Sequence, residues 1–253
     1  MQVKKIKRNR LAMLAASAAL ASGSAQAITV AGVSWDEHSL FDFAAQTLQV
    51  STVARNAGDQ FRGYGQITAL NGNAAFCAGC ELTYVFSGFT LNASIGSAPN
   101  TPFAYSGGRL QIYVDSTRDF SATSAASAAG GQLWLDMVAV DPFATGATLV
   151  GSTSIPNGSG MSGYGASYMN VVGGLAASVL DTNGEPGGTD FLFTTSYQAL
   201  RKAIVQNGVA YGNFGTSEFS GVSAVPEAGT YAMMLAGLGL VGWQVRRRQG
   251  RSA

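Results

Sequence analysis

The sequence predicts an all-β body, a two-sheet antiparallel sandwich of jelly-roll type, flanked by an N-terminal signal peptide and a single C-terminal transmembrane helix. Three observations carry this. Short segments of period-two apolar alternation recur along the middle of the chain. Between them stand Asn-Gly, Gly-Gly and Pro-Gly turn formers. The same stretch is rich in Gly, Ser, Ala and Thr and has one lysine, Lys202, a composition that suits an exported β protein.

Taken in chain order, residues 28–35 form a first strand, and residues 48–54 alternate cleanly. Residues 61–70 come next across the Asn56–Asp59 turn, and Asn71-Gly72 marks the next reversal. Residues 81–91 are the longest strand, with a bulge expected at Gly88. Residues 109–115 are opened by Gly107-Gly108. Residues 121–131 are Ser/Ala/Gly-rich and read as a loop, because no apolar stripe would dock them. Residues 132–140 and 148–153 are strands, and residues 157–165 a glycine-rich loop. Residues 169–180 and 190–195 read as a pair around Asn183-Gly184. Residues 196–207 are the one predicted helix of the body, with Ser196 as N-cap and Gly208 beyond its end. Residues 218–222 close the sheet. Roughly ten strands in one stretch, with no fixed-period repeat and no internal linker, suit a single sandwich. Ser223-Ala224 is the joint between the body and the C-terminal segment.

Both ends read as export signals. Lys4, Lys5, Lys7, Arg8 and Arg10 precede a short apolar run at residues 11–21 and the small-residue site Ala25-Gln26-Ala27. This is a signal peptide over residues 1–27, cut so that the mature chain starts at Ile28. At the other end, residues 225–253 open with Val225-Pro226-Glu227-Ala228-Gly229-Thr230. An uncharged apolar run at about 229–245 comes next, and then Arg246, Arg247 and Arg248. Such a run is at the short end of what crosses a bilayer, and the arginines belong on the cytoplasmic side. A buried core helix would rarely end in an arginine cluster with so little chain left to pack on it.

Tripeptide, apolar helix and basic tail in this order closely resemble the PEP-CTERM protein-sorting signal of Gram-negative bacteria. The second proline of the usual Pro-Glu-Pro is Ala228 here. The resemblance implies export across the inner membrane by the secretion machinery and a transient inner-membrane anchor. It further implies an exosortase, a membrane-embedded cysteine peptidase, as partner, cutting near Pro226-Glu227, and a final place at the cell surface or outside the cell. Proteins of this kind accompany exopolysaccharide and biofilm matrix. In the body, the segments at residues 77–89 and 132–136 resemble those of flocculation-associated PEP-CTERM proteins.

The two ends hide the charge of the middle. Residues 28–225 hold six basic and thirteen acidic residues, a net charge near −7. That argues against nucleic acid and anionic membrane surfaces as partners.

Candidate chemistry is sparse. Cys77 and Cys80 are the only cysteines, and in an exported chain they pair as a short-loop disulfide. Haem attachment needs a histidine where Glu81 stands, and a zinc site lacks ligands, because His38 is the only histidine. Asp36-Glu37-His38 reads as an exposed turn before it reads as half of an acid/base site. No Gly-x-Ser-x-Gly elbow occurs. Asp181, Asn183, Glu185 and Asp190 place oxygens at alternating positions of a tight loop, which calcium accepts, although the turn formers there also explain the loop alone. Asp115 and Asp119 form a second, weaker acidic loop. Trp35, Trp134 and the tyrosines are core residues first and sugar-stacking residues second. The expected function is therefore a non-enzymatic surface or matrix protein needing no cofactor and acting structurally or in adhesion with exopolysaccharide. A lectin-like carbohydrate-binding module stands second and a secreted hydrolase last.

Overall fold

The computed structural model describes residues 27–154 and 161–224, together with Met234 and residues 237–241. The chain forms two compact units, Met1–Ser223 and Ala224–Ala253. The first is the all-β body the sequence predicts.

Its strands are β1 (Ile28–Val30), β2 (Val33–Trp35), β3 (Phe43–Thr52), β4 (Gln60–Leu70), β5 (Glu81–Leu91), β6 (Thr101–Asp115), β7 (Gln132–Val140), β8 (Leu149–Ser154), β9 (Ser162–Gly173), β10 (Phe191–Gln206) and β11 (Val209–Gly221). Strands β1 and β2 form a separate hairpin. The other nine make one antiparallel sheet in the order β10-β11-β3-β4-β5-β6-β7-β9-β8. Strand β8 continues the line of β7, pairing with the first residues of β6 on one side and of β9 on the other. Strand β9 then pairs with β10, from Phe191 opposite Met169 to Tyr197 opposite Gly163. The two layers of the sandwich are thus facing parts of one sheet that closes on itself.

Alternation explains the core. Phe191, Phe193 and Tyr197 point inward from β10, and Phe219 points inward from β11. They meet Tyr84, Phe86 and Phe89 of β5, Phe61 of β4, and Phe103 and Tyr105 of β6. Phe193 stacks on Phe219 at 5.3 Å between ring centroids, and Tyr84 meets Phe219 edge-on at 5.0 Å. Rings this large fit because β4 carries glycine where they press on the backbone. A Cβ at Gly65 would collide with the Leu48 carbonyl oxygen and lie 2.6 Å from the Tyr84 ring. A polar cluster occupies the rest of the interior. Gln49 exchanges hydrogen bonds with Thr195 and accepts one from Ser217, while Thr47 Oγ1 lies 3.0 Å from the Tyr84 hydroxyl. Each of these groups is buried and each finds a partner.

The β1–β2 hairpin plugs one end. Trp35 packs edge-on against Phe43 at 5.4 Å and against Trp134 at 6.0 Å. The Trp134 indole donates to the Val30 carbonyl at 3.1 Å. The expected first strand is therefore split in two, turning at Ala31-Gly32, both of which have positive φ.

Three expectations need correction. Residues 196–207 are not a helix but the second half of β10, and the supposed helix stop is the Asn207-Gly208 turn of the β10–β11 hairpin, with φ of 49° and 77°. Pairing with β11 on both sides of an irregularity at residues 200–203 overrides the local preference. Strand β9 begins at Ser162, inside the expected glycine-rich loop, and ends at Gly173. Residues 157–160 of that loop lie outside the described residues. The expected bulge is present: the β4–β5 register shifts beside Gly88, whose φ is 77°.

The Ser/Ala/Gly segment is a loop with a 3-10 turn at Ala125–Ala128, but it docks. Phe120, Ala122, Ala125 and Ala128 cover Val50, Tyr64 and Tyr211 on the outside of the sheet as a second small core. Tyr64 donates to the Ala122 carbonyl at 2.8 Å and Thr83 to that of Ala128 at 3.0 Å. The apolar contacts come from scattered alanines and one phenylalanine, so no stripe announced them.

Burial pushes the phenols of Tyr84, Tyr105 and Tyr197 above the ordinary tyrosine range. Unfolded tyrosine ionises near pH 10, so the folded state holds the neutral form longer than the unfolded state does. Stability is then intact below about pH 10 and is lost as pH rises beyond it. Alkaline titration is expected to show phenolate absorbance from these rings rising together with the loss of near-ultraviolet circular dichroism. Full ionisation of every tyrosine in a still-folded body would contradict this.

Candidate functional site

The residues singled out in the sequence fall into three groups. Val225, Pro226, Glu227, Gly229, Arg246, Arg247 and Arg248 lie outside the described residues, as does Ala25 of the signal cleavage site. Ala27 is the first described residue and is exposed. In the second unit Met234 and residues 237–241 are helical. Among the described residues no helix is long and apolar enough to cross a membrane.

The second group is structural. Cys77 and Cys80 form a disulfide with Cα atoms 5.3 Å apart. Arg118 ties its loop down, donating to the carbonyls of Cys80 at 3.0 Å and Cys77 at 3.2 Å. Trp35 and Trp134 are fully enclosed in the core and present no surface to a sugar. The His38 ring is exposed, 3.5 Å from Glu37, in a turn where the Asp36 side chain accepts from the His38 amide. Asp115 accepts from the amide and hydroxyl of Thr117, within its own turn.

The calcium candidates do not converge. The Asp190 carboxylate is buried and accepts from the amides of Val171 at 2.8 Å, Thr182 at 2.8 Å and Asn183 at 2.6 Å, so it organises the loop rather than facing outward. Asp181 and Asn183 are exposed, and burial raises the Glu185 carboxyl above its usual range, which disfavours a charged ligand. Among the described residues no three His, Cys, Asp or Glu side chains could hold a metal ion.

The third group was missed by sequence reasoning. On the outer face of β8, β9, β10, β11 and β3 the register aligns two rows. One is Ser152, Tyr164, Ser196 and Thr216. The other is Val150, Ala166, Thr194, Glu218 and Gln46. They line an open depression of about 890 Å³. A second depression of about 500 Å³ shares Ser152, Tyr164, Ser196 and Thr216 and extends the face to Gln198 and Phe214. Tyr164 is 65 % exposed although it sits mid-strand, and Phe214 is 38 % exposed. The face therefore offers two aromatic rings among hydroxyls and amides, with Glu218 its one carboxylate among the lining residues. The signal was present as Ser162-x-Tyr164-x-Ala166, but flanking glycines disguised it as a loop.

The body also ends in a defined way. Asp42 accepts the Ser223 amide at 2.6 Å and the Ser223 hydroxyl, and that hydroxyl accepts from the Trp35 indole at 3.2 Å. The last residue of the first unit is thus held fast, three positions before Pro226.

A closed all-β body with an open polar face, joined directly to a short apolar segment and an arginine cluster, is the build of an exported protein with a C-terminal sorting segment. Residues 224–248 match the model of the PEP-CTERM protein-sorting motif, which supports an exported protein sorted to the cell surface with an exosortase as its processing partner. No curated protein and no solved structure matches the chain. The likeness of the body to flocculation-associated proteins has no counterpart in these comparisons.

Replacing Asp190 by Ala strands three amide donors and is expected to cost about 3 kcal/mol in denaturant unfolding. Calcium or a chelator is expected to leave the thermal midpoint of the unaltered protein where it is. A calcium-dependent rise of several degrees would restore the metal reading.

Proposed function

We propose that the protein is a non-enzymatic surface or matrix component that holds extracellular polysaccharide on the β8-β9-β10-β11-β3 face. The observation that supports this most is the exposed Tyr164 ring in line with Ser152, Ser196 and Thr216. A pyranose offers an apolar C–H face and a rim of hydroxyls, which an exposed aromatic among Ser, Thr and Gln side chains complements. The depression is open along its length, which suits an internal stretch of polymer better than a small molecule enclosed on most sides. Glycoside hydrolysis uses a pair of carboxylates, and this face carries Glu218 alone, which favours binding over cleavage. The sheet closes on itself, so strand addition at a free edge is a poor route to assembly for this body. That again favours a ligand as the adhesive link.

Tyr164→Ala is expected to weaken retention on the exopolysaccharide of the producing cells roughly tenfold or more, one decade for each 1.4 kcal/mol of lost contact. The thermal midpoint should not move, because the side chain points away from the core. Affinity electrophoresis in gels containing the polysaccharide reads this directly, and unchanged mobility would remove the binding reading and leave a purely structural role.

The sorting segment has its own readout. Alanine at both Pro226 and Glu227 is expected to leave full-length protein in the inner membrane, seen as a heavier species in membrane fractions. Normal release of a product ending near Val225 would show that these two residues do not direct processing.

A further inference from the structure

At the row of Phe43, Gly221, Phe191 and Met169 strands β3, β11 and β10 begin or end while β9 runs on to Gly173, and the end of the body beyond that row is built largely from the connecting segments. At this end Leu40 is 90 % exposed and Phe41 61 % exposed, side by side at the tip of a loop. Val172 and Leu175, also exposed, lie beyond the same row. Leu40 is the most exposed large hydrophobic side chain among the described residues.

The loop is not loose. Two successive turns shape it, with the Ser39 amide on the Asp36 carbonyl and the Asp42 amide on the Ser39 carbonyl, both at 3.1 Å. The Asn71 side chain pins both ends, donating to the Asp36 and Asp42 carbonyls and accepting from the Ala44 amide at 2.7 Å. The same Asp42 grips Ser223. The loop that pushes two apolar side chains into solvent is therefore hydrogen-bonded to the residue where the body ends. From there Ala224 to Ala228 span at most about 18 Å before the apolar run begins.

We infer that the Leu40–Phe41 turn is a membrane-interface finger, seated at the headgroup–acyl boundary of the bilayer while the chain is held by its C-terminal apolar run. The inference rests on reading that run as membrane-inserted. So short a tether brings the end of the body that carries Ser223 to the lipid surface, and an exposed Leu-Phe pair there meets headgroups and upper acyl chains. Two such side chains do not anchor a protein without a tether, so the finger orients the body and lets go when the tail is cut. The flanking Asp36 and Glu37 suit zwitterionic rather than anionic lipid.

The test uses the full chain reconstituted in phosphatidylcholine vesicles. Leu40→Cys and, separately, Ser97→Cys carry an environment-sensitive fluorophore, the native cysteines being paired in the disulfide. Ser97 is exposed and lies beyond β5, which runs from Glu81 beside the plug to Leu91 at the far end. Spin-labelled lipid is expected to quench the probe at position 40 several-fold more than the probe at 97. Adding Phe41→Glu should bring the two together without moving the melting temperature. Equal, weak quenching in chains that float with the vesicles overturns the finger alone. Chains that do not float overturn the membrane-inserted tail and the finger with it. Shielding of position 40 that rises with protein concentration in the absence of lipid assigns the surface to a second copy and overturns the proposal.

Discussion

The ladder between β9 and β10 is what turns a row of strands into a container. Seven residue pairs, from Phe191 opposite Met169 to Tyr197 opposite Gly163, close the sheet. With that seam in place Phe193, Tyr197 and Phe219 face Phe61, Phe86 and Tyr105 across one interior, and every ring in the set has ring or backbone on several sides. Without it each half of the sheet would show an aromatic face to water. The closure depends in turn on β3 and β11, whose pairing joins residues 43–52 to 211–221 and so the two ends of the body's sequence. Contacts of such long range form late and slowly, which suits a chain that folds after export rather than during synthesis.

Much of this was legible. Strands β4, β5 and β7 stand where alternation placed them, because each is bounded by a turn with its own chemistry, such as Asn71-Gly72 with φ of 51° and 75°. The second half of β10 was not. Residues 196–207 carry Ala, Leu, Arg, Lys and Gln, good helix formers, and only the partner strand β11 decides the matter. The docked segment at Phe120 to Ala128 was misjudged for the opposite reason: its neighbours Val50, Tyr64 and Tyr211 come from three strands, all of them distant from the segment in sequence. The candidate site had the same obscurity. Ser152, Tyr164, Ser196 and Thr216 become neighbours only through three strand registers, and nothing local marks them as a set. The sorting segment, in contrast, is a linear signal, so order along the sequence was enough to see it.

Polar groups do two distinct tasks in the body. Gln49, Thr195 and Ser217 use their side chains to complete an interior that aromatics alone would not fill. Asp190 and Asp42 use theirs on backbone amides, and so fix loops at the end of the body where the plug also sits. A carboxylate spent in this way is poorly placed to bind calcium. That single use accounts for why an alternating acidic loop, suggestive in sequence, is a loop clasp in three dimensions.

The clasp at Ser223 has a mechanical side. Strand β11 carries Thr216 and Glu218 to the open face and ends at Gly221, two residues before the clasp at Ser223. A polymer pulling on that face while the tail is held would load β11 along its own axis, flanked by β10 on one side and β3 on the other. Hydrogen bonds in both ladders would then resist together in shear, instead of opening one after another as in a peeled hairpin.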